Sequence, residues 1–435
     1  MKKLLRRSFL LLAFVLFSYS AHAQKYLHAS GAKIVNGNGQ GVLLKGIGLG
    51  GWMLQEPYML KLAGTGINTQ REIRSKIKAL VGPRKTRKFY NAWLKDGMQK
   101  SDVDSLAAWG FNSIRLPMDY NLFTPPVNKE PVSGQITWLK KGFTLTDSLL
   151  SWCADDHIYL ILDLHAAPGG QGHDLSIANR DSSKSSLWQS KADRQKTVAL
   201  WKKLAKRYSN KKWIGGYDLL NEPNWSFVHP NDRNNHGCKD TSNTPLRKLY
   251  VRITHAIRSV DKNHMLFIEG NCYANNHQGL LPPWDDNMAI SFHKYWNKNN
   301  VASIRKYLKI RKKYKVPLWL GESGENNNQW YRQAVHLVES HDIGWSWWPL
   351  KKVGTNNPFE VKMPPGFKKI IQYWKGKGPK PSSKTAFHAL MQLARNYKTK
   401  NLVVHYDVLH ALFGSKEEIN YKQTAFADIL RSLNS

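Results

Sequence analysis

One unit repeats along the chain from residue 43 to residue 349: a short apolar, β-branched run that ends in a polar residue or glycine, followed by a helical stretch. The strand-like runs are 43–50, 113–118, 159–165, 215–221, 264–270, 288–295, 317–322 and 344–349. Helix-like stretches include 68–95, 139–156, 188–208, 244–261, 299–314 and 328–341. Buried strands alternating with helices argue for a parallel sheet of the α/β class, since parallel neighbours need a long crossover between them. Eight strands are the number that closes a (β/α)8 TIM barrel. An open doubly wound sheet has the same rhythm, so the choice falls to the placement of the chemically active residues.

The flanks are of a different kind. Residues 26–28 and 33–35 surround Gly31, and Asn36-Gly37-Asn38-Gly39 offers tight-turn chemistry, which reads as an N-terminal β-hairpin feeding the first buried strand. Residues 351–435 read as loop and helix: one helix follows Pro364-Pro365-Gly366, one is capped at Ser382-Ser383 and runs towards Asn396, and a last one opens at Glu417. They are expected to form a helical extension packed on the barrel's side. Ahead of the hairpin, Lys2, Lys3, Arg6 and Arg7 precede an apolar run from Phe9 to Phe17 and the small-x-small triplet Ala21-His22-Ala23. That pattern is expected to be a signal peptide, residues 1–23, cleaved after Ala23, sending the protein to the periplasm or outside the cell. The run is shorter than the ~20 residues a membrane span needs, and none is expected later in the chain.

Three cysteines give no disulfide framework to depend on. Cys153 lies in an apolar helical stretch and reads as a buried free thiol, whereas Cys238 and Cys272 follow consecutive strands on one face, which leaves a bridge between them open. Lysine and arginine total 65 against 31 acidic residues, a net charge of +34. The basic residues are dispersed over helical segments such as 202–212 and 305–315, so a solvated basic surface is the plain reading. Attraction to an anionic glycan or cell envelope follows from such a surface; a specific nucleic-acid partner does not.

At one strand end after another stands a polar or aromatic residue suited to gripping a sugar: Glu56, Arg115, His165, Asn221-Glu222, His293 with Tyr295, Glu322, and the cluster Trp345-Ser346-Trp347-Trp348. A (β/α)8 barrel gathers these ends on one face, where such folds carry their active sites. Glycoside hydrolysis needs a proton for the leaving oxygen and a carboxylate to meet the positive charge developing on the sugar. Glu222 and Glu322, ending strands 4 and 7, face each other across the barrel mouth. No His-Glu-x-x-His or Cys-x-x-Cys spacing supports a metal, and no cofactor is expected.

Asn221-Glu222-Pro223, Gly321-Glu322-Ser323-Gly324, Gly110-Phe111-Asn112-Ser113-Ile114-Arg115-Leu116-Pro117, His293-Lys294-Tyr295 and the terminal tryptophan, in that setting, closely resemble glycoside hydrolase family 5 over roughly residues 26 to 375. The resemblance implies Glu222 as acid/base, Glu322 as nucleophile and Asn221 as partner of the sugar 2-hydroxyl. It implies that Arg115 and Tyr295 hold the nucleophile, that His165 and His293 contact sugar or the acid/base, and that Trp348 floors the reacting sugar, with Trp347 as its rival. Leu49-Gly50-Gly51-Trp52 leading to Glu56-Pro57, and Asp163-Leu164-His165-Ala166-Ala167-Pro168-Gly169-Gly170-Gln171 followed by Asp174, look like the exo-β-1,3-glucanase branch. That branch implies a grip on the terminal sugar by Glu56; Gly48 and Ala166 depart from its pattern. Glu325 reads as a surface or loop residue. The expectation is therefore a secreted retaining β-glycosidase acting on a β-glucan or related polysaccharide or oligosaccharide. Residues 24–375 would be the catalytic domain and 376–435 the helical extension. The alternatives are another β-linked glycan such as mannan or a glycolipid headgroup, a silent carbohydrate-binding barrel, or an envelope-binding structural protein.

Overall fold

The structure, a computed structural model, describes residues 26–414. The expected signal peptide and the helix expected from Glu417 lie outside the described residues. In chain order the elements are β1 (His28–Ser30), β2 (Lys33–Val35), β3 (Lys45–Gly48), α1 (Gln70–Val81), α2 (Pro83–Asp96), α3 (Lys100–Trp109) and β4 (Ser113–Asp119). There follow α4 (Lys140–Asp155), β5 (Tyr159–Ala166), α5 (Leu175–Ala178), α6 (Lys191–Tyr208), β6 (Ile214–Asp218), α7 (Thr244–Arg258), β7 (Leu266–Glu269) and α8 (Asn271–Ala274). The remainder are β8 (Met288–Lys294), α9 (Val301–Tyr314), β9 (Leu318–Gly324), α10 (Asn328–Glu339), β10 (Gly344–Trp348), β11 (Lys351–Lys352), β12 (Phe359–Glu360), α11 (Pro365–Trp374), α12 (Ser383–Asn396), β13 (Val403–Val404) and α13 (Tyr406–Phe413).

Strands β3 to β10 close a barrel in sequence order, β10 pairing in parallel with both β9 and β3. The open-sheet alternative is thereby excluded. Side chains alternate across each strand, so odd and even positions meet different surroundings. In β5, Leu160, Leu162 and Leu164 join the large core between barrel and helices, while Tyr159 and Ile161 belong to a second, smaller cluster. That cluster also holds Met265, Phe267, Ala289 and Trp319 from neighbouring strands, and Leu27 and Ile34 from the β1–β2 hairpin. It is an apolar floor inside the barrel, sealed from below by the hairpin. Two residues further along the same alternation come Asp163 and His165, then Glu269 and His293 on their own strands, all buried. Polar side chains thus begin where the apolar floor ends.

Three features depart from the sequence reading. The stretch 68–95 is two helices, because Gly82 ends α1 at φ 83° and Pro83 begins α2; a proline tolerates the first helical turn but not an interior one. Residues 351–414 carry, besides helices, a small sheet of β11, β12 and β13; strands of two residues show no periodicity to read. Helix α3 was not among the helix-like stretches read; Gly110 closes it at φ 93°. The C-terminal helices share the main core: Ala386, Leu390 and Leu393 of α12 and Leu409 and Leu412 of α13 belong to it. No helix among the described residues is long and apolar enough to cross a membrane.

Candidate active site

Arg115 is the centre of the barrel mouth. It projects from β4 with its side chain wholly buried and touches four carboxylates. Its Nε donates to Asp218 Oδ2 (2.9 Å), Nη1 to Glu322 Oε1 (3.0 Å) and Nη2 to Glu269 Oε1 (2.9 Å), with Asp163 Oδ2 at 3.3 Å. The same Nη2 donates to Asn221 Oδ1 at 2.7 Å. A guanidinium only donates, so this contact fixes which end of the Asn221 amide faces it. The amide nitrogen then faces His165 Nε2 at 3.2 Å, leaving His165 to carry its proton on Nδ1, 2.7 Å from Asp163 Oδ2. Burial holds His165 neutral, its pKa pushed down to about 3.

His293 behaves in the opposite way. Its Nδ1 lies 2.7 Å from Glu222 Oε1 and 3.5 Å from Glu322 Oε2, and its Nε2 lies 3.2 Å from Glu269 Oε1. Burial disfavours the imidazolium, but Glu269 and Glu322 outweigh it and hold the pKa well above the ordinary histidine value. Asp218 is pushed up to about 8 by burial and by Glu269, against the pull of Arg115. Asp163 is also raised by burial. Around Arg115 and His293, two of the acids therefore keep their protons, which limits the charge buried at the barrel centre.

Glu222 and Glu322 stand beside each other over this network: an oxygen of each carboxylate and a nitrogen of His293 all lie within 4.8 Å of one another. Tyr295 donates to Glu322 Oε2 at 3.0 Å. Burial raises Glu322, and His293 and Arg115 oppose that rise. Glu222 sits at φ 41°, a left-handed backbone conformation that costs a non-glycine residue energy, and its N–H donates to Glu269 Oε2 at 2.6 Å. The loop behind it is braced by α8: Tyr273 N–H donates to the Pro223 carbonyl, and the Cys238–Cys272 disulfide left open by the sequence is formed. Cys153 is a buried free thiol, as expected.

Trp348, not Trp347, faces the mouth. Its ring stacks on His165 with centroids 5.3 Å apart and planes at 1°, and its Nε1 donates to the Tyr58 hydroxyl at 2.7 Å. Trp347 points the other way, packing edge-on against Tyr331. Glu56 is buried beside this wall, 3.9 Å from His165 Nε2, with its pKa raised by burial and by Glu322.

Every site residue read from the sequence is brought to this one mouth. Others went unread. Asp163 was quoted only as part of a motif; Asp218 and Glu269 were not singled out, although an acid in an otherwise apolar strand is the signal that marked Glu222. Glu325 corrects the expectation of a mere surface residue: it accepts from Tyr58 at 3.2 Å, pairs with Lys352, and so ties the Trp348 wall to the loop after β9. Its φ of 53° turns it back over the site, which no sequence pattern announces.

A closed (β/α)8 barrel with buried carboxylates gathered at its strand ends is the layout of a glycoside hydrolase. The family model for cellulase, glycosyl hydrolase family 5, matches residues 74–354. A β-xylosidase of Phanerodontia chrysosporium is 30% identical over 366 residues, 76% of this chain and 71% of that protein. Endoglucanase C of Acetivibrio thermocellus is 26% identical over 316 residues, covering 58% of this chain and 84% of that one. Among solved structures, the cellulase Cel5C_n shares the fold with a TM-score of 0.51 at 14% identity, over 83% of this chain and 94% of that one. The chain belongs to glycosyl hydrolase family 5, and it is a β-glycosidase.

Proposed function

We propose that the chain hydrolyses a β-glucan or a related β-linked polysaccharide with retention, Glu222 serving as acid/base and Glu322 as nucleophile. The observation that carries this assignment is their closeness: carboxyl oxygens within 4.8 Å of each other suit the ~5–5.5 Å separation of retaining enzymes and leave no room for the water that an inverting pair holds at ~6.5–9.5 Å. In the first step Glu322 attacks the anomeric carbon while Glu222 gives its proton to the leaving oxygen. In the second, Glu222 takes a proton from water, which attacks the same carbon and releases Glu322.

The surrounding groups have matching tasks. Arg115 and Tyr295 hold Glu322 in place by hydrogen bonds from two sides. Protonated His293 lies against Glu222 and favours its carboxylate between the two steps. Neutral His165, Glu56 and the Trp348 ring form one wall for the sugar, an aromatic face suiting the C–H face of a pyranose. Asn221 is the hydrogen-bond partner of the sugar 2-hydroxyl. The basic, apolar and small-residue succession in residues 1–23 supports export.

Reducing-sugar release from β-1,3-, β-1,4- and β-1,6-linked glucans and mannan is the direct test. Wild type should act on one of them, Glu322→Ala should abolish that activity, and Glu222→Gln should lower it about 10²–10⁴-fold, the scale of general acid–base assistance. Unchanged activity in Glu322→Ala would refute the assignment.

A further inference from the structure

Beside the glutamate pair lies a cavity of about 400 Å³ that the mechanism does not use, lined among others by His173, Arg180, Trp225 and Arg233. Its strongest feature is Arg180. Only 7% of this side chain is exposed, its Nε meets no acceptor, and no carboxylate pairs with it among the described residues. The nearby acids are otherwise engaged. Asp181 pairs with Arg71 at 3.2 Å and Lys184 at 3.9 Å, Asp232 accepts the Asn234 N–H, and Asp174 caps α5.

The cavity is built. Gly170, at φ 79°, carries no side chain where a Cβ would come within 2.6 Å of the Arg180 Cβ, so the glycine turn seats the arginine stem. The guanidinium lies 5.2 Å from the Trp225 ring centroid, and the His173 ring stacks on that indole at 4.0 Å. Neither ring nitrogen of His173 has a partner. Burial, Arg180, His236 and Arg233 push His173 down to about 4, and Asp232 only partly opposes them. The wall is tied to the proposed acid/base by one side chain: Asn224 donates to the Glu222 carbonyl at 2.9 Å and accepts the Asp174 N–H at 2.8 Å.

A buried cation without a counter-charge is costly, and a planar guanidinium suits a two-oxygen anion. We propose that this cavity is a subsite for an acidic substituent, a carboxylate or a sulfate, carried by the glycan that Glu222 and Glu322 cleave, an inference that rests on that reading of the pair. Arg180 pairs with the anion, Arg233 adds charge from the exposed rim, and Trp225 supports the sugar ring that bears it. The net charge of +34 draws such a substrate in from a distance.

The test measures binding of three ligands of one backbone to the Glu322→Ala protein by calorimetry: a neutral β-linked gluco-oligosaccharide, its glucuronate-bearing form and its sulfated form. One acidic form should bind about ten- to hundredfold more tightly than the neutral one, the scale of a hydrogen bond to a charged group. Arg180→Gln in that background should collapse the preference, and Arg233→Gln, at an exposed position, should reduce it without endangering the fold. Whichever acidic form is preferred identifies the substituent. Equal binding of all three, or a preference that survives Arg180→Gln and disappears with added salt, would overturn the inference. Because the readout is binding, it is separate from the turnover of wild type on which the assignment of Glu222 and Glu322 depends.

Discussion

Arg115 shows how much of the site is decided by single side chains. It donates to Asp218, Glu322, Glu269 and Asn221 at once, and through Asn221 it sets the proton of His165. Two histidines in one mouth are thereby driven apart. His165, pushed down to about 3, adds stability above the unfolded histidine pKa of ~6.5 and loses it as pH falls towards 3. His293, raised by Glu269 and Glu322, adds stability below ~6.5 and loses it as pH rises through its folded value. Proton-carbon NMR of labelled histidine should show one ring neutral at pH 5, lost in His165→Gln, and one still charged above pH 7, lost in His293→Gln. Ordinary titration of both near 6.5 would contradict the network. Of these residues the sequence displays the ones at strand ends, because a polar group closing an apolar run is visible. Asp218 and Glu269 stand inside or at the close of runs that otherwise read as plain core, and only the barrel's closure aims them at Arg115.

At the scale of elements, strand β3 illustrates why glycine recurs before the site. A Cβ at Gly48 would lie 2.5 Å from Trp348 Cε3, and one at Gly50 2.6 Å from its Cζ2. Both strand positions must therefore lack side chains for the indole to lie flat on His165. This accounts for Gly48, the departure from the exo-β-1,3-glucanase pattern, in this chain's own packing. Gly50→Ala should tilt the ring and cost about 1–3 kcal/mol of stability, as overpacking does. Fluorescence and thermal melting would register it together with a raised KM; an unaltered KM would show that Trp348 does not face the sugar. The strands and their order were legible because their periodicity and length are strong signals. The break at Gly82-Pro83 was missed because apolar spacing continues across it, and the two-residue strands β11 to β13 have no periodicity to find.

The whole molecule is a barrel with an apolar floor, a charged middle and an open mouth, and the C-terminal helices complete its outer core. Tyr397 lies 4.4 Å from Trp93 of α2, and Phe413 lies 4.8 Å from Phe111 and 5.7 Å from Trp345. We propose that residues 376–435 are an extension inseparable from the barrel. A chain ending at Lys375 loses several aromatic contacts worth ~3–5 kcal/mol each, against a total stability of ~5–15 kcal/mol, so it should show no cooperative thermal transition. A truncated chain melting as cooperatively as the full one would make the extension a separate unit. The fold's class followed from sequence rhythm, but the mutual dependence of barrel and extension follows only from which faces touch.

The central claim is that Glu322 forms a bond to the sugar while Glu222 moves the proton, and covalent trapping tests it most directly. The enzyme is incubated with an activated 2-fluoro β-glycoside of whichever sugar it turns over, digested, and its peptides are mapped by mass spectrometry. A single glycosyl adduct on Glu322, absent from Glu322→Ala and accompanied by β-configured product from the natural substrate, is the predicted result. An adduct on Glu222, or α-configured product with no adduct at all, would contradict the account.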